Sequence, residues 1–196
     1  MLEITLLRHW PTSWNKAKKL QGLRDIPLLD SSIFALSQLS VPPHWHSLRW
    51  YSSPLQRACQ TATALALDAE PQQALIEMDW GEWEGETVSG LRQRLGNEMD
   101  RIEQQGLLMR PEGGECPAEV IERLSLWAEQ QLNSNNLQLG AVCHKGIIRA
   151  LMASATGWDM LGKPPVKLDF SCGQRFGWDG KHWHLLESNI PLLTKT

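Results

Sequence analysis

The sequence predicts an α/β fold, a three-layer α/β/α sandwich around a largely parallel central sheet. Three observations point to it. Apolar runs of strand length alternate along the chain with longer stretches of helical spacing. Two of those runs, residues 2–7 and 139–143, are apolar for most of their length, as strands buried on both faces are. No repeat, linker or low-complexity segment interrupts the alternation. The 196 residues fit a single domain spanning 1–196, since domains run to about 100–200 residues.

Residues 2–7 make the first strand, which ends abruptly at Arg8-His9. Residues 47–51 read as the second. Ser53-Pro54 then supplies an N-cap and a proline at the first helical position, which predicts a helix over 55–67. Helical patterns rich in Leu, Glu, Arg and Gln cover 90–105 and 118–132. Residues 139–143 form a further buried strand, and 147–155 an apolar helix. Shorter strands are expected at 166–170, 175–178 and 182–186, the last two joined by an Asp179-Gly180 turn. Residues 191–196 read as a loose tail.

Composition narrows the function classes. Hydrophobic residues make up 42% and charged residues 21%, enough to bury a core without disulfide or metal support. A net charge of −3 and a pI near 6.1 give no reason to expect nucleic acid or an anionic membrane, so any positive potential must be local. Cys59, Cys116, Cys143 and Cys172 show no C-x-x-C spacing, which leaves zinc and redox pairs unsupported and suits a reducing compartment. The first residues lack the basic start and small-residue cleavage site of a signal peptide, and no apolar run approaches the roughly 18–20 residues that cross a bilayer. A cytoplasmic protein is expected. The ten Trp, against one Tyr and three Phe, are read mainly as filling of the core and clefts.

Twice an expected strand ends in a histidine: Leu6-Leu7-Arg8-His9, and Ala141-Val142-Cys143-His144 leading into Lys145-Gly146. In open α/β sheets ligands gather at the carboxyl ends of strands beside helix N-termini, so two such histidines can share one site. Arg57 lies in the first turn of the helix after the second strand and faces the same edge. A cation there opposes the helix dipole, a conflict that a bound anion would remove. Cys143 points to the opposite face of its strand from His144 and is read as buried packing. His44-Trp45-His46 and His182-Trp183-His184 have H-x-H spacing without a convincing third ligand, and are read as surface or edge histidines.

Six segments in order resemble the motifs of the histidine phosphatase superfamily, also called phosphoglycerate mutase-like. Arg8-His9-Trp10-Pro11-Thr12-Ser13-Trp14-Asn15 resembles R-H-G-x-T-x-x-N, and Gln21-Gly22-Leu23-Arg24-Asp25-Ile26-Pro27-Leu28 resembles Q-G-x-x-D-x-P-L. Ser52-Ser53-Pro54-Leu55-Gln56-Arg57-Ala58-Cys59-Gln60-Thr61-Ala62 is similar to S-S-P-L-x-R-A-x-Q-T-A almost throughout. Glu77-Met78-Asp79-Trp80-Gly81-Glu82-Trp83-Glu84-Gly85 resembles E-x-D-F-G-x-W-E-G, Pro111-Glu112-Gly113-Gly114-Glu115 resembles P-x-G-G-E, and His144-Lys145-Gly146-Ile147-Ile148-Arg149 resembles H-G-G-x-I-R. Together they span nearly the whole chain.

The resemblance implies a phosphoglycerate mutase-like fold and a metal-independent phosphomonoesterase working through a phosphohistidine on His9, with no cofactor and no metal. By position it makes His9 the nucleophile and Arg8, Arg57 and His144 the remaining phosphate-pocket cations. Glu77 takes the place of the proton donor, with Asp79, Glu82 and Glu84 as fallbacks. Asn15 is a further phosphate contact, and Gln21, Gly22 and Lys145 join the substrate-binding set. Phosphoryl transfer needs mainly positioning and charge stabilisation, and each guanidinium offers a rigid fork of donors for phosphate oxygens. His9 must be neutral, with its second nitrogen fixed by an acceptor and its pKa pushed below the usual value of about 6.5 by Arg8 and Arg57. Glu77 must be protonated when substrate is bound. The expected partner is a small phosphorylated substrate, with no nucleic acid or membrane, and a homodimer is the assembly allowed for.

Three positions depart from the pattern: Trp10 and Lys145 stand where Gly is usual, and Pro11 where Glu or Gln is frequent. The Trp10 indole must point away or narrow the pocket. Lys145 either adds a fourth cation or reaches solvent, the second being favoured. Glu115 has a modest claim to touch substrate. The compact chain resembles most closely the small phosphatases of the superfamily, such as alpha-ribazole phosphatase. Trp10, Trp14, Trp80 and Trp83 predict a pocket for a partly apolar or aromatic organic phosphate. The rival readings are a phosphoglycerate mutase or other phosphotransferase, and a non-catalytic phospho-ligand binding protein.

Overall fold

The computed structural model describes residues 1–134 and 136–195. In chain order the first elements are β1 (Leu2–Arg8), α1 (Ser13–Lys16), α2 (Asp30–Ser37), β2 (Leu39–Ser40), β3 (Arg49–Ser52), α3 (Gln56–Ala64) and β4 (Ala69–Pro71). The middle of the chain is helical: α4 (Val88–Leu95), α5 (Asn97–Glu103) and α6 (Pro117–Leu132). After these come β5 (Gln138–Cys143), α7 (Lys145–Thr156), β6 (Gly173–Trp178), β7 (Trp183–Ile190) and β8 (Leu193–Thr194).

A mixed, mostly parallel six-stranded sheet of order β4-β3-β5-β1-β6-β7 carries helices on both faces. β4, β3, β5 and β1 are parallel, while β6 and β7 close one edge as an antiparallel hairpin. Alternation along β1 and β5 divides the core into two layers, because successive side chains leave opposite faces of a strand. Leu2, Ile4, Leu6, Leu139, Ala141 and Cys143 pack in one layer with α6 and α7. Leu7 and Val142 pack in the other with Leu36 of α2 and Ala58 and Ala62 of α3. Cys143 is fully buried, as its place on the strand required. Seven of the ten Trp, among them Trp45, Trp127 and Trp183, are buried in the core clusters.

Four expectations are corrected. The helix over 90–105 is two helices, broken at Gly96, whose φ of +52° ends α4. Residues 166–170 form no strand. Instead Asp169 Oδ1 accepts from the backbone N–H and hydroxyl of Ser171, and the Asp169 N–H donates to Asn189 Oδ1, so side chains take the hydrogen bonds a ladder would use. The tail is tied down through Lys195: β8 pairs antiparallel with β2, and the Lys195 N–H donates to the Gln38 carbonyl at 2.8 Å. Finally, α3 starts at Gln56, with neither Ser53 as its cap nor Pro54 in its first turn. Asp25, on a distant loop, accepts from the Gln56 N–H at 2.7 Å, which frees the Ser53 hydroxyl for another partner.

Candidate active site

Three adjacent parallel strands, β3, β5 and β1, end side by side, and each delivers a polar residue there. The His9 N–H donates to the Cys143 carbonyl and the Ser53 N–H to the Val142 carbonyl, both at 2.9 Å, so the ladder runs to the last residue before the site. His9 and His144 are thereby brought together, their ring centroids 5.1 Å apart and tilted by 56°. His9 is 4% exposed and His144 fully buried.

His9 Nδ1 lies 2.7 Å from the carbonyl oxygen of Trp10. A carbonyl only accepts, so Nδ1 carries the proton and Nε2 keeps its lone pair. Burial, then the charges of Arg8 and Arg57, hold the His9 pKa well below the usual range, while the Trp10 carbonyl opposes the shift. The ring is neutral at pH 7. His144 is held neutral in the same way, by burial and then by His9, Arg57, Arg8 and Arg123. Its Nε2 lies 2.7 Å from Ser53 Oγ, which already accepts from the Leu55 N–H. The direction of this bond follows the ring tautomer, since a hydroxyl oxygen can accept twice. Nδ1 itself is buried without a partner among the described residues.

Arg57 enters from the first turn of α3 and is completely buried. Its Nη1 donates to the Arg24 carbonyl at 2.7 Å and its Nη2 to the Gly22 carbonyl at 2.8 Å, and these carbonyls resolve the conflict with the helix dipole. Its Nε, like that of Arg8, is buried with no partner among the described residues. Arg8 sits 5.5 Å from the centre of the Phe170 ring.

Glu77 reaches the site from the irregular segment after β4. Its Oε1 accepts from the Met78 N–H at 2.9 Å and its Oε2 from the Gly146 N–H at 3.3 Å. A Cβ on residue 146 would collide with this carboxylate, so the glycine after Lys145 makes room for it. Burial raises the pKa of Glu77, against the lowering pull of the Met78 N–H, Arg57, the Gly146 N–H and Arg8. Arg123 of α6 clamps the approaching backbone. It donates to the carbonyls of Ala74 and Ile76 and is itself held by Glu115 at 2.7 Å. Glu115 also accepts from the Asp79 N–H at 3.4 Å and so belongs to the clamp. The fallback acids are engaged elsewhere or exposed: Asp79 accepts from the Gly81 N–H, Glu84 pairs with Arg24, and Glu82 faces solvent.

Arg8, His9, Asn15, Gln21, Arg57, Glu77 and Lys145 all line one cavity of about 910 Å³, with His144 behind His9. Gly22 does not line it; its carbonyl holds Arg57 instead. Asn15 Oδ1 accepts from the Thr12 N–H in the cap of α1, and Gln21 Oε1 accepts from the Thr12 hydroxyl, so both amides keep their N–H donors for the cavity. Of the four motif tryptophans only Trp80 lines the cavity, stacked on buried Trp83, which removes most of the support for an aromatic pocket. Ser53, Arg123 and Arg149 escaped the sequence reading. The first looked like a helix cap, the second is one of several arginines in a helical pattern, and the third closes a motif without an evident partner.

Comparison with known proteins agrees with this architecture. The sequence model of the histidine phosphatase superfamily (branch 1) matches residues 4–191. The chain belongs to that superfamily. It is 27% identical over 168 residues to phosphoserine phosphatase 1 of Hydrogenobacter thermophilus, covering 82% of this chain and 79% of the relative. It is 26% identical to a 2,3-bisphosphoglycerate-dependent phosphoglycerate mutase of Mesorhizobium japonicum, over 87% of this chain and 88% of that one. In structure it resembles a mycobacterial glucosyl-3-phosphoglycerate phosphatase, with a TM-score of 0.79 at 23% identity over 97% of this chain and all of the other, a likeness of fold. Within this histidine phosphatase, the Trp10 side chain does not line the cavity but packs beside the Leu7 layer, while its backbone N–H donates to Thr61 Oγ1 at 3.0 Å. Lys145 is exposed, but its ammonium turns over the Phe170 ring at 5.5 Å and lines the cavity.

Proposed function

We propose that the chain is a metal-independent phosphomonoesterase that hydrolyses a small organic phosphate through a phosphohistidine on His9. The observation that carries the reading is the Nδ1 to Trp10 carbonyl bond, which aims a neutral, buried Nε2 lone pair into a cavity lined by Arg8 and Arg57. Nε2 attacks phosphorus, and a P–N bond forms as the P–O bond to the alcohol breaks. Glu77, kept protonated by burial and by the incoming dianion, gives its proton to the departing oxygen. Water then attacks the phosphohistidine. The Glu77 carboxylate takes a proton from it, the P–N bond breaks, and His9 recovers its lone pair as phosphate leaves. Arg8 and Arg57 spread the charge that develops on the equatorial oxygens, the part an ion supplies in other phosphoryl-transfer sites.

Hydrolysis of p-nitrophenyl phosphate in excess chelator tests this. The intact protein should exceed His9→Ala by about a thousandfold or more, the size of loss seen when a nucleophile is removed. Equal rates would end the proposal. The relative named as a mutase supports a second reading, phosphoryl transfer between sugar acids. A coupled mutase assay with and without 2,3-bisphosphoglycerate separates the two.

A further inference from the structure

Among the described residues three carboxylates line the cavity, Glu77, Asp100 and Glu103, against seven Lys or Arg side chains, in a chain whose net charge is −3. Glu103 is already paired with Arg92 at 2.8 Å. Arg8, Lys145 and Arg149 also line the cavity, and among the described residues none of them takes part in an ion pair or a side-chain hydrogen bond. Aromatic faces hold them instead. Arg8 and Lys145 both lie 5.5 Å from the Phe170 ring centre, and Arg149 lies 4.9 Å from that of Trp158. A ring quadrupole positions a cation without neutralising it, whereas a carboxylate would do both. These cations are close enough to act on one another: after burial, Arg8 and Arg149 are the charges that depress the pKa of Lys145.

One phosphoryl group needs Arg8 and Arg57. It leaves Lys145 and Arg149 unmatched beside it, in a cavity at the large end of the roughly 300–1,000 Å³ usual for small-molecule sites. We infer that Lys145 and Arg149 form a subsite for a second anionic group, a carboxylate or a further phosphate, on the organic part of the substrate. The inference rests on the phosphomonoesterase reading and adds a substrate class to it. Arg149 matches the arginine of the superfamily motif, whereas Lys145 departs from its glycine, so Lys145 is what makes the subsite particular to this chain.

Matched substrates test it. The ratio of kcat/KM for 3-phosphoglycerate over glycerol 3-phosphate reports a carboxylate. That for fructose 1,6-bisphosphate over fructose 6-phosphate reports a second phosphate. At fixed ionic strength one ratio should be about tenfold or more, the discrimination expected of one hydrogen-bonded charge pair. Lys145→Met and Arg149→Met should each bring that ratio towards one, and Lys145→Arg should retain it. Two ratios near one in the intact protein, with all four substrates hydrolysed faster than by His9→Ala, overturn the subsite and leave the phosphomonoesterase standing. A high ratio indifferent to both Met variants also overturns it. Rates no better than His9→Ala on every substrate remove the underlying reading and the subsite with it.

Discussion

Glu77→Gln tests the proposed proton-transfer group while leaving its surroundings nearly intact. The amide oxygen still accepts from the Met78 N–H at 2.9 Å, and only the weak 3.3 Å contact with the Gly146 N–H is lost. Folding should not suffer. The pKa of Glu77 is raised on folding, so the carboxylate's penalty sets in as pH rises above the unfolded value and grows until pH passes the folded one; Gln never meets it. The variant should therefore be at least as stable as the parent at neutral pH. Its chemistry should fail in a way that depends on the leaving group. General acid catalysis is worth about 10²–10⁴-fold, and an alkyl phosphate such as glycerol 3-phosphate should lose that much. p-Nitrophenolate leaves without a proton, so formation of the phosphohistidine from p-nitrophenyl phosphate should fall by less than about tenfold. Its hydrolysis still needs Glu77 as base. Stopped-flow absorbance should then show one equivalent of p-nitrophenolate released in a burst, followed by slow turnover. Equal losses on both substrates, with no burst, would refute the assignment of Glu77 as proton donor.

Other consequences follow from the same contacts. Arg123→Met removes the clamp on the Ala74 and Ile76 carbonyls, so kcat should drop about tenfold or more with little change in KM, and the alkaline limb of the pH profile should shift as Glu77 loses its fixed setting; an unchanged profile would argue against a positioning role. Gly146→Ala drives a methyl group into the Glu77 carboxylate and should abolish most alkyl phosphate hydrolysis while the far-ultraviolet circular dichroism stays the same. His9 and His144 have folded pKa values below their unfolded ones, so their contribution to stability is present above about pH 6.5 and lost as pH falls towards the folded values. The melting temperature should accordingly fall from pH 7 to 5, and the double variant His9→Asn, His144→Asn should flatten the slope; parallel curves would exclude the histidines as its source.

Residue types and their order were legible without coordinates. Strand-length apolar runs, the two strand-terminal histidines and the six motifs all depend on near neighbours in the chain, and β1, β5, α6 and the β6–β7 hairpin appear close to where the patterns placed them. Signals with two meanings were not legible. Ser53 is a good helix cap by local chemistry, yet the cap of α3 comes from Asp25 and Ser53 turns to His144. Residues 166–170 alternate like a strand, but their ladder groups are taken by Asp169 and Asn189.

The sequence by itself determined which residue types are available: two strand-terminal histidines, arginines able to hold an oxyanion, and a choice of acids in the 77–84 segment. Only the tertiary structure decided which of these meet. Placing β5 between β3 and β1 sets Ser53, His144 and His9 at neighbouring strand ends, and the Arg123 clamp selects Glu77 over Asp79 and Glu84. It also left Lys145 and Arg149 held by ring faces, without a carboxylate partner among the described residues. The physical reason is range. Strand and helix patterns are set by residues a few positions apart, whereas strand order and the partners of a buried charge come from packing segments separated by most of the chain.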